Sequence, residues 1–240
     1  MDYKELDFRG MTTQREWEVA ETFPVLMRKV YVWMTLALAI TSFTAYAVAT
    51  SPGIMQAIYG NQAIVIGLFV AELALVFGVG AAINRLSLTT ATLMFIAYSV
   101  INGIVFSSIF MVYTMTSIVS VFMITAGTFG AMAALGYTTS VDLSKWGGIL
   151  AMALIGLIIA TLVNVFLIKN SGLTVILNYA GVLIFVGLTA WDSQKIKRML
   201  LEAPDAGETS QKIALLGALT LYLDFINLFI HLLRILGKRE

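Results

Sequence analysis

Residues 86 to 141 read LSLTTATLMFIAYSVINGIVFSSIFMVYTMTSIVSVFMITAGTFGAMAALGYTTSV, bounded by Arg85 on one side and Asp142 on the other, with no charged side chain between them. A helix needs about 20 mostly apolar residues to cross a hydrocarbon core roughly 30 Å thick. This stretch is too long for one crossing and offers no charge at which to stop. It therefore folds back once, and Thr114 to Ser117 is the expected turn. Two membrane-spanning helices follow from this segment alone.

Five further apolar runs flank it: Val30 to Thr50, Gln62 to Ile83, Gly147 to Ile168, Thr174 to Trp191 and Lys212 to Leu236. Turn-forming residues separate them at Ser51-Pro52-Gly53, Gly60-Asn61, Asn170-Ser171-Gly172 and Ala203-Pro204-Asp205-Ala206-Gly207. Backbone polar groups in lipid are satisfied only within helices or closed barrels, and the runs lack the period-two alternation of barrel strands. The expected fold is all-α, a polytopic seven-helix bundle. Residues 1–29 form an amino-terminal segment and residues 30–240 one membrane domain, with no soluble domain. The first run follows a segment of mixed charge and is too long for a signal-peptide core. No internal repeat announces an inverted-repeat transporter.

Composition agrees. Of the 240 residues, 59% are hydrophobic and 12% charged, against about 25% charged in soluble proteins. A net charge of +1 offers no basic face for nucleic acid. Without cysteine, and with His231 the single histidine, disulfides, thiol nucleophiles and His-rich zinc sites are excluded; no cofactor is expected. When basic residues are distributed over alternate sides of seven spans, Lys4, Arg9, Arg15, Arg28, Lys29, Arg85, Lys145, Lys195, Lys197, Arg198 and Lys212 share the amino-terminal side. Lys169, Arg234, Lys238 and Arg239 fall opposite. The positive-inside rule then puts the amino terminus in the cytoplasm. The basic carboxy terminus conflicts with that rule, which leaves open a seventh segment that is re-entrant or packed inside the bundle.

A charge at mid-membrane costs roughly 2.5 to 3.5 kcal/mol on insertion scales and usually marks a function. Glu72, Asp192 and Asp224 are such acids. Asp224 lies mid-span, and Gly217, Thr220, Asp224, Asn227, His231 and Arg234 recur at steps of three or four, forming one polar stripe. The stripe reads either as a hydrogen-bonded seam between helices or as a functional face. Asp192 closes the sixth run before Lys195, Lys197 and Arg198. It reads either as an interfacial acid paired to lysine or as a partner of Asp224 across the antiparallel sixth and seventh helices. Two carboxylates sharing a low-dielectric site cannot both ionise easily, so such a pair exchanges protons as one coupled unit. Arg85 is either a topology-setting residue that snorkels to lipid phosphate or a gate that pairs reversibly with Asp192. Glu72 lies about 20 Å along the axis from Arg85 at 1.5 Å per residue, on another face, and is a candidate pore-lining residue with Asn227 and His231.

The segment Gly217-Ala-Leu-Thr-Leu-Tyr-Leu-Asp-Phe-Ile-Asn-Leu-Phe, continuing to Leu232-Leu-Arg-Ile-Leu-Gly237, resembles the signature of the transmembrane Bax inhibitor motif family. So does Gly181-Val-Leu-Ile-Phe-Val-Gly-Leu-Thr-Ala-Trp-Asp-Ser-Gln-Lys195, with Trp191 where the family more often has tyrosine. The likeness extends from about Val30 to the end and is greatest to bacterial inner-membrane members. It implies a bundle whose last helix is central, surrounded by six. It also implies a pH-sensitive calcium leak, with a di-aspartyl sensor at Asp192 and Asp224 and a bonding arginine at Arg85. The cell-death role of eukaryotic relatives does not transfer, because this chain has a short amino-terminal segment and no evident partner motif.

Three functions are weighed. The first is a passive calcium leak controlled by protons, in which Asp192 and Asp224, with Asn227, carbonyls and water, bind the ion weakly. The second is a non-conducting regulator of a membrane protein such as a membrane protease, docking through the charged amino terminus or the loop from Glu202 to Gln211. The third, an intramembrane aspartyl protease, lacks the Gly-x-Gly-Asp element, since Leu221-Tyr-Leu precedes Asp224. The chain is therefore read as no enzyme.

Overall fold

The computed structural model describes residues 3–83, 85–203 and 207–239, with side chains from Glu21 onward except at Val79; the Pro204-Asp205-Ala206 break lies outside them. Eight α-helices follow in order: α1 (Tyr3–Ala49), α2 (Pro52–Tyr59), α3 (Gln62–Ala82), α4 (Leu88–Phe106), α5 (Met115–Thr138), α6 (Ser144–Val163), α7 (Ser171–Leu201) and α8 (Glu208–Leu236). All but α2 are long and apolar enough to span a membrane, so among the described residues there are seven candidate spans. The chain is an all-α integral membrane protein.

Side-chain caps set where several spans begin. Asn61 accepts from Ala63 N at 3.0 Å, Ser87 from Thr90 N at 3.1 Å, Thr114 from Ser117 N at 3.3 Å and Asn170 from Leu173 N at 3.0 Å. Each supplies an acceptor for a first-turn N–H that would otherwise lie orphaned near lipid. The charge-free stretch does fold back, as α4, a 3₁₀ turn at Ser107–Met111, and α5. Sequence reasoning overlooked α2. It begins at Pro52, where a missing N–H costs nothing, and is pinned by Tyr59, whose hydroxyl donates to Ile104 O at 2.9 Å and Val105 O at 3.0 Å.

Burial identifies the centre. In its most apolar window α8 is 67% buried, against 33% or less for every other span and 0% for α3. Helices α1, α4, α5 and α7 pack directly on α8, while α3 and α6 pack mainly on α4 and α7. The expected ring of six is thus four neighbours and two outer helices.

The two ends of α8 are tied to opposite ends of the bundle. Near its start, Glu208 Oε1 accepts from Leu88 N at 3.0 Å, at the α3–α4 connection. Beyond its finish, Lys238 O accepts from Thr114 N at 3.2 Å, and Lys238 N donates to Ser117 Oγ at 2.9 Å, at the α4–α5 turn. A re-entrant seventh segment is therefore overturned: α8 traverses the bundle as one continuous helix.

Close crossings depend on glycine. A methyl group on Gly136 would intrude on the Ala190 carbonyl, joining α5 to α7, and one on Gly147 would intrude on the Trp191 ring, joining α6 to α7. Small residues are what let helices approach where lipid supplies no hydrophobic drive.

Candidate functional site

Helix α7 does not stop at Trp191 but runs on to Leu201, which carries Asp192 inside the bundle. Asp192 and Asp224 are 6% and 5% exposed, and their carboxyl groups lie within hydrogen-bonding reach of each other. Asp224 Oδ2 is fully buried and receives no N–H or O–H donor among the described residues. A hydrogen bond between two carboxyl groups exists only when one of them holds a proton. Two carboxyl groups buried this close together do not both ionise easily, so the arrangement suits an acid pair that shares one proton.

The surroundings hold Asp192 in place. On the next residue, Ser193 Oγ donates to Ala133 O of α5 at 2.9 Å and lies 3.4 Å from the Tyr31 hydroxyl of α1. Lys195, one turn along, exerts a favourable charge interaction on Asp192, while its Nζ sits 4.8 Å above the Trp191 ring. Lys195 thus acts on Asp192 through its charge but forms no ion pair with it among the described residues.

Arg85 is not part of this arrangement. It is exposed in the α3–α4 turn, and the ion pairs among the described residues are Arg198–Asp142 and Lys212–Glu208. An Arg85–Asp192 gate is not formed here. Arg85 follows the end of α3, the helix with least burial, whereas Asp192 lies in the α7–α8 interface.

The polar stripe on α8 is split by depth. Gly217 and Asp224 are buried, Thr220, Asn227 and His231 half-buried, and Arg234 exposed. Asn227 donates to Leu223 O at 2.8 Å, which leaves its carbonyl oxygen available. His231 Nδ1 lies 3.2 Å from Asn178 Oδ1, and its ring stacks on Phe185 at 5.7 Å. His231 packs against Gly181, where a side chain would collide with the ring. It serves the α7–α8 seam, well removed along α8 from Asp224.

Sequence reasoning missed a second buried polar group. Tyr222 is fully buried, its hydroxyl 2.7 Å from Thr41 Oγ1, which also donates to Ser99 O at 2.9 Å. Phe95 and Tyr98 present their rings edge-on to Tyr222, each at 5.8 Å. Half-buried Glu72 interacts electrostatically with both Tyr98 and Tyr222, and Asn102 Oδ1 is buried with no donor among the described residues. Tyr222→Phe removes one buried hydrogen bond while Thr41 keeps Ser99 O as acceptor. A loss of about 1 kcal/mol in unfolding free energy is expected, measurable by denaturant titration in detergent.

Gln194 ties the α5–α6 connection to α7, donating to Val141 O at 2.8 Å and accepting from Leu143 N at 2.9 Å. Asp142, in that connection, is held below the ordinary carboxylate range, first by the Ser144 backbone N–H at 3.0 Å and then by the Ser144 side chain and Arg198. Its contribution is present at neutral pH and disappears as pH falls through that lowered value. Hydrogen exchange at the Ser144 amide is expected to lose protection only in strong acid; loss already near neutrality would contradict this assignment.

No group of three or more His, Cys, Asp or Glu that could hold a metal exists among the described residues. The aspartate pair alone supplies fewer oxygens than the six to eight that calcium takes.

The chain matches the family described as inhibitor of apoptosis-promoting Bax1 over residues 24–240. It is 51% identical over 216 residues to inner membrane protein YbhL of Escherichia coli strain K12, covering 89% of this chain and 92% of the relative. A protein of Borreliella burgdorferi is 44% identical over 214 residues (89% and 92%), and one of Rickettsia prowazekii 42% over 230 residues (95% and 96%). With a match that takes in every spanning helix, the chain belongs to the Bax inhibitor family of integral membrane proteins.

Proposed function

We propose that this protein is a pH-sensitive, calcium-permeable cation leak of the bacterial inner membrane, with its amino terminus in the cytoplasm, and that it carries out no enzymatic reaction. The observation that carries the reading is the Asp192–Asp224 pair, buried between α7 and the central helix within hydrogen-bonding reach. With one shared proton the pair links the two helices. Fully ionised, it sets two negative charges face to face, a repulsion of about 4 kcal/mol at 4 Å and an effective dielectric of 20. That is of the order needed to shift a two-state equilibrium by nearly three decades. A passing divalent cation relieves the same repulsion, so protons and calcium compete for one site.

Glu72 and Asn227 are the further lining residues on this reading. Among basic residues of the described chain, Arg28, Lys29, Arg85, Lys145, Lys195, Lys197, Arg198 and Lys212 sit toward the end where α8 begins, which supports a cytoplasmic amino terminus. The name of the Escherichia coli relative supports the inner membrane. The test is calcium uptake into liposomes holding the purified protein, measured against pH. Uptake that changes with pH and loses that dependence in Asp192→Asn and Asp224→Asn supports the leak. No uptake at any pH, together with a stable co-purifying membrane protein, would replace it with the non-conducting regulator.

A further inference from the structure

Helices α1 and α5 both lean on α8 but scarcely touch each other. They meet through rings at the two ends, Phe23 stacked on Tyr137 at 6.3 Å and Tyr46 edge-on to Phe110, on the 3₁₀ turn before α5, at 6.3 Å. Between these closures three cavities of about 550, 330 and 270 Å³ follow one another. The first two share Met34 and Phe129; the last two share Ser42, Phe122 and Phe225. They form one crevice, floored by α8 through Phe225. From Arg28 to Tyr46 it follows α1 for about 27 Å at 1.5 Å per residue, near the roughly 30 Å depth of a hydrocarbon core.

Its chemistry is not uniform along that length. The middle is apolar, walled by Leu38, Ala39 and Ala126. The end where α1 enters the bundle carries Arg28, exposed and without an acidic partner among the described residues, in a lining it shares with Tyr31 and Tyr137. Lys197 Nζ is close by, donating to Tyr137 O at 2.8 Å. An apolar slot with an exposed guanidinium at one end is complementary to a single amphiphile: an acyl chain along the slot, a phosphate at the guanidinium.

We propose that the α1–α5 crevice is a binding site for an anionic phospholipid. Its phosphate pairs with Arg28, and an acyl chain lies along Met34, Ala126 and Phe122 against Phe225. Neither Asp192 nor Asp224 lines the crevice, although Phe225 adjoins Asp224 in α8.

The test uses the full chain in phosphatidylcholine nanodiscs containing a phosphatidylglycerol probe with a photoreactive acyl chain. Adducts are expected on Met34, Ala126 and Phe122 in excess of those on Met152 and Ile155, exposed residues of α6. Gly130→Trp should remove the excess several-fold, because a side chain on exposed Gly130 meets open space at the crevice wall. Ala134→Phe, a second exposed wall position, repeats the test should that variant fail to fold. Arg28→Gln should abolish the preference for this probe over a phosphatidylcholine probe of the same chain. Equal labelling of both faces, or crevice labelling unchanged by the filling variants, would overturn the site. A headgroup preference retained in Arg28→Gln would overturn the phosphate assignment.

Discussion

Asp224→Asn is expected to flatten the pH dependence of calcium flux, with the pH-driven change in rate falling by up to about three decades if the whole 4 kcal/mol of ionic repulsion drives gating. The substitution suits the question because asparagine keeps the shape of aspartate and can donate one hydrogen bond to Asp192 at any pH. Packing survives, as Asp224 is 5% exposed and enclosed on all sides, while the coupled protonation does not. Asp192→Asn should have the same effect from the other side. The double variant should add little to either, since residues that act as one unit are not additive. Measurement is by a calcium indicator trapped in proteoliposomes, with thermal unfolding in detergent as a check on folding. A pH profile of wild-type steepness in either single variant would remove the pair from the gating mechanism. Lys195, which interacts with Asp192 from one turn away, is the charged group most able to supply a residual slope, so Lys195→Gln in the Asp224→Asn background separates the two contributions.

How much of this was legible in the sequence depends on how local each signal is. The seven spans were readable because apolar length is counted along the chain. The fold-back between Arg85 and Asp142 followed from length alone, with Thr114 in the expected place. Asp224 stood out because a hydrogen-bonded seam needs only Asn or Thr and has no use for a carboxylate amid Leu, Phe and Ile. The end of α7 was placed too early because Lys195, Lys197 and Arg198 look like the edge of a span. In three dimensions Lys197 lies along Tyr137, with its ammonium group at a backbone carbonyl, as long basic side chains can do near an interface. The Thr41–Tyr222–Ser99 group was invisible because hydroxyl-bearing residues pass for ordinary members of an apolar run. It takes the crossing of α1, α4 and α8 to reveal that they share a site. Arg85 is the opposite case. Its position was read correctly as the end of a span, but no sequence pattern reports whether an exposed turn reaches a buried acid.

Gly136→Leu is expected to be the most destabilising single change outside the acid pair, lowering unfolding free energy by about 3 kcal/mol, the upper part of the usual range for overpacking. At this position even a methyl group would intrude on the Ala190 carbonyl. The obstacle is backbone, so no rotamer change can make room, and α5 must separate from α7. Gly127 on the same helix faces open space and is the internal control: Gly127→Ala should be neutral or slightly stabilising, since alanine favours helix over glycine by about 1 kcal/mol. Separation at Gly136 also draws Ala133 away from Ser193, breaking the 2.9 Å hydrogen bond that fixes the residue next to Asp192. The stability loss should therefore come with altered calcium flux in whatever fraction still folds, an outcome a defect confined to α5 would not produce. Unfolding midpoints of Gly136→Leu and Gly127→Leu in the same detergent decide the matter. Equal midpoints would mean that the α5–α7 crossing is looser than the Gly136–Ala190 contact requires, and that Asp192 is positioned by α8 alone.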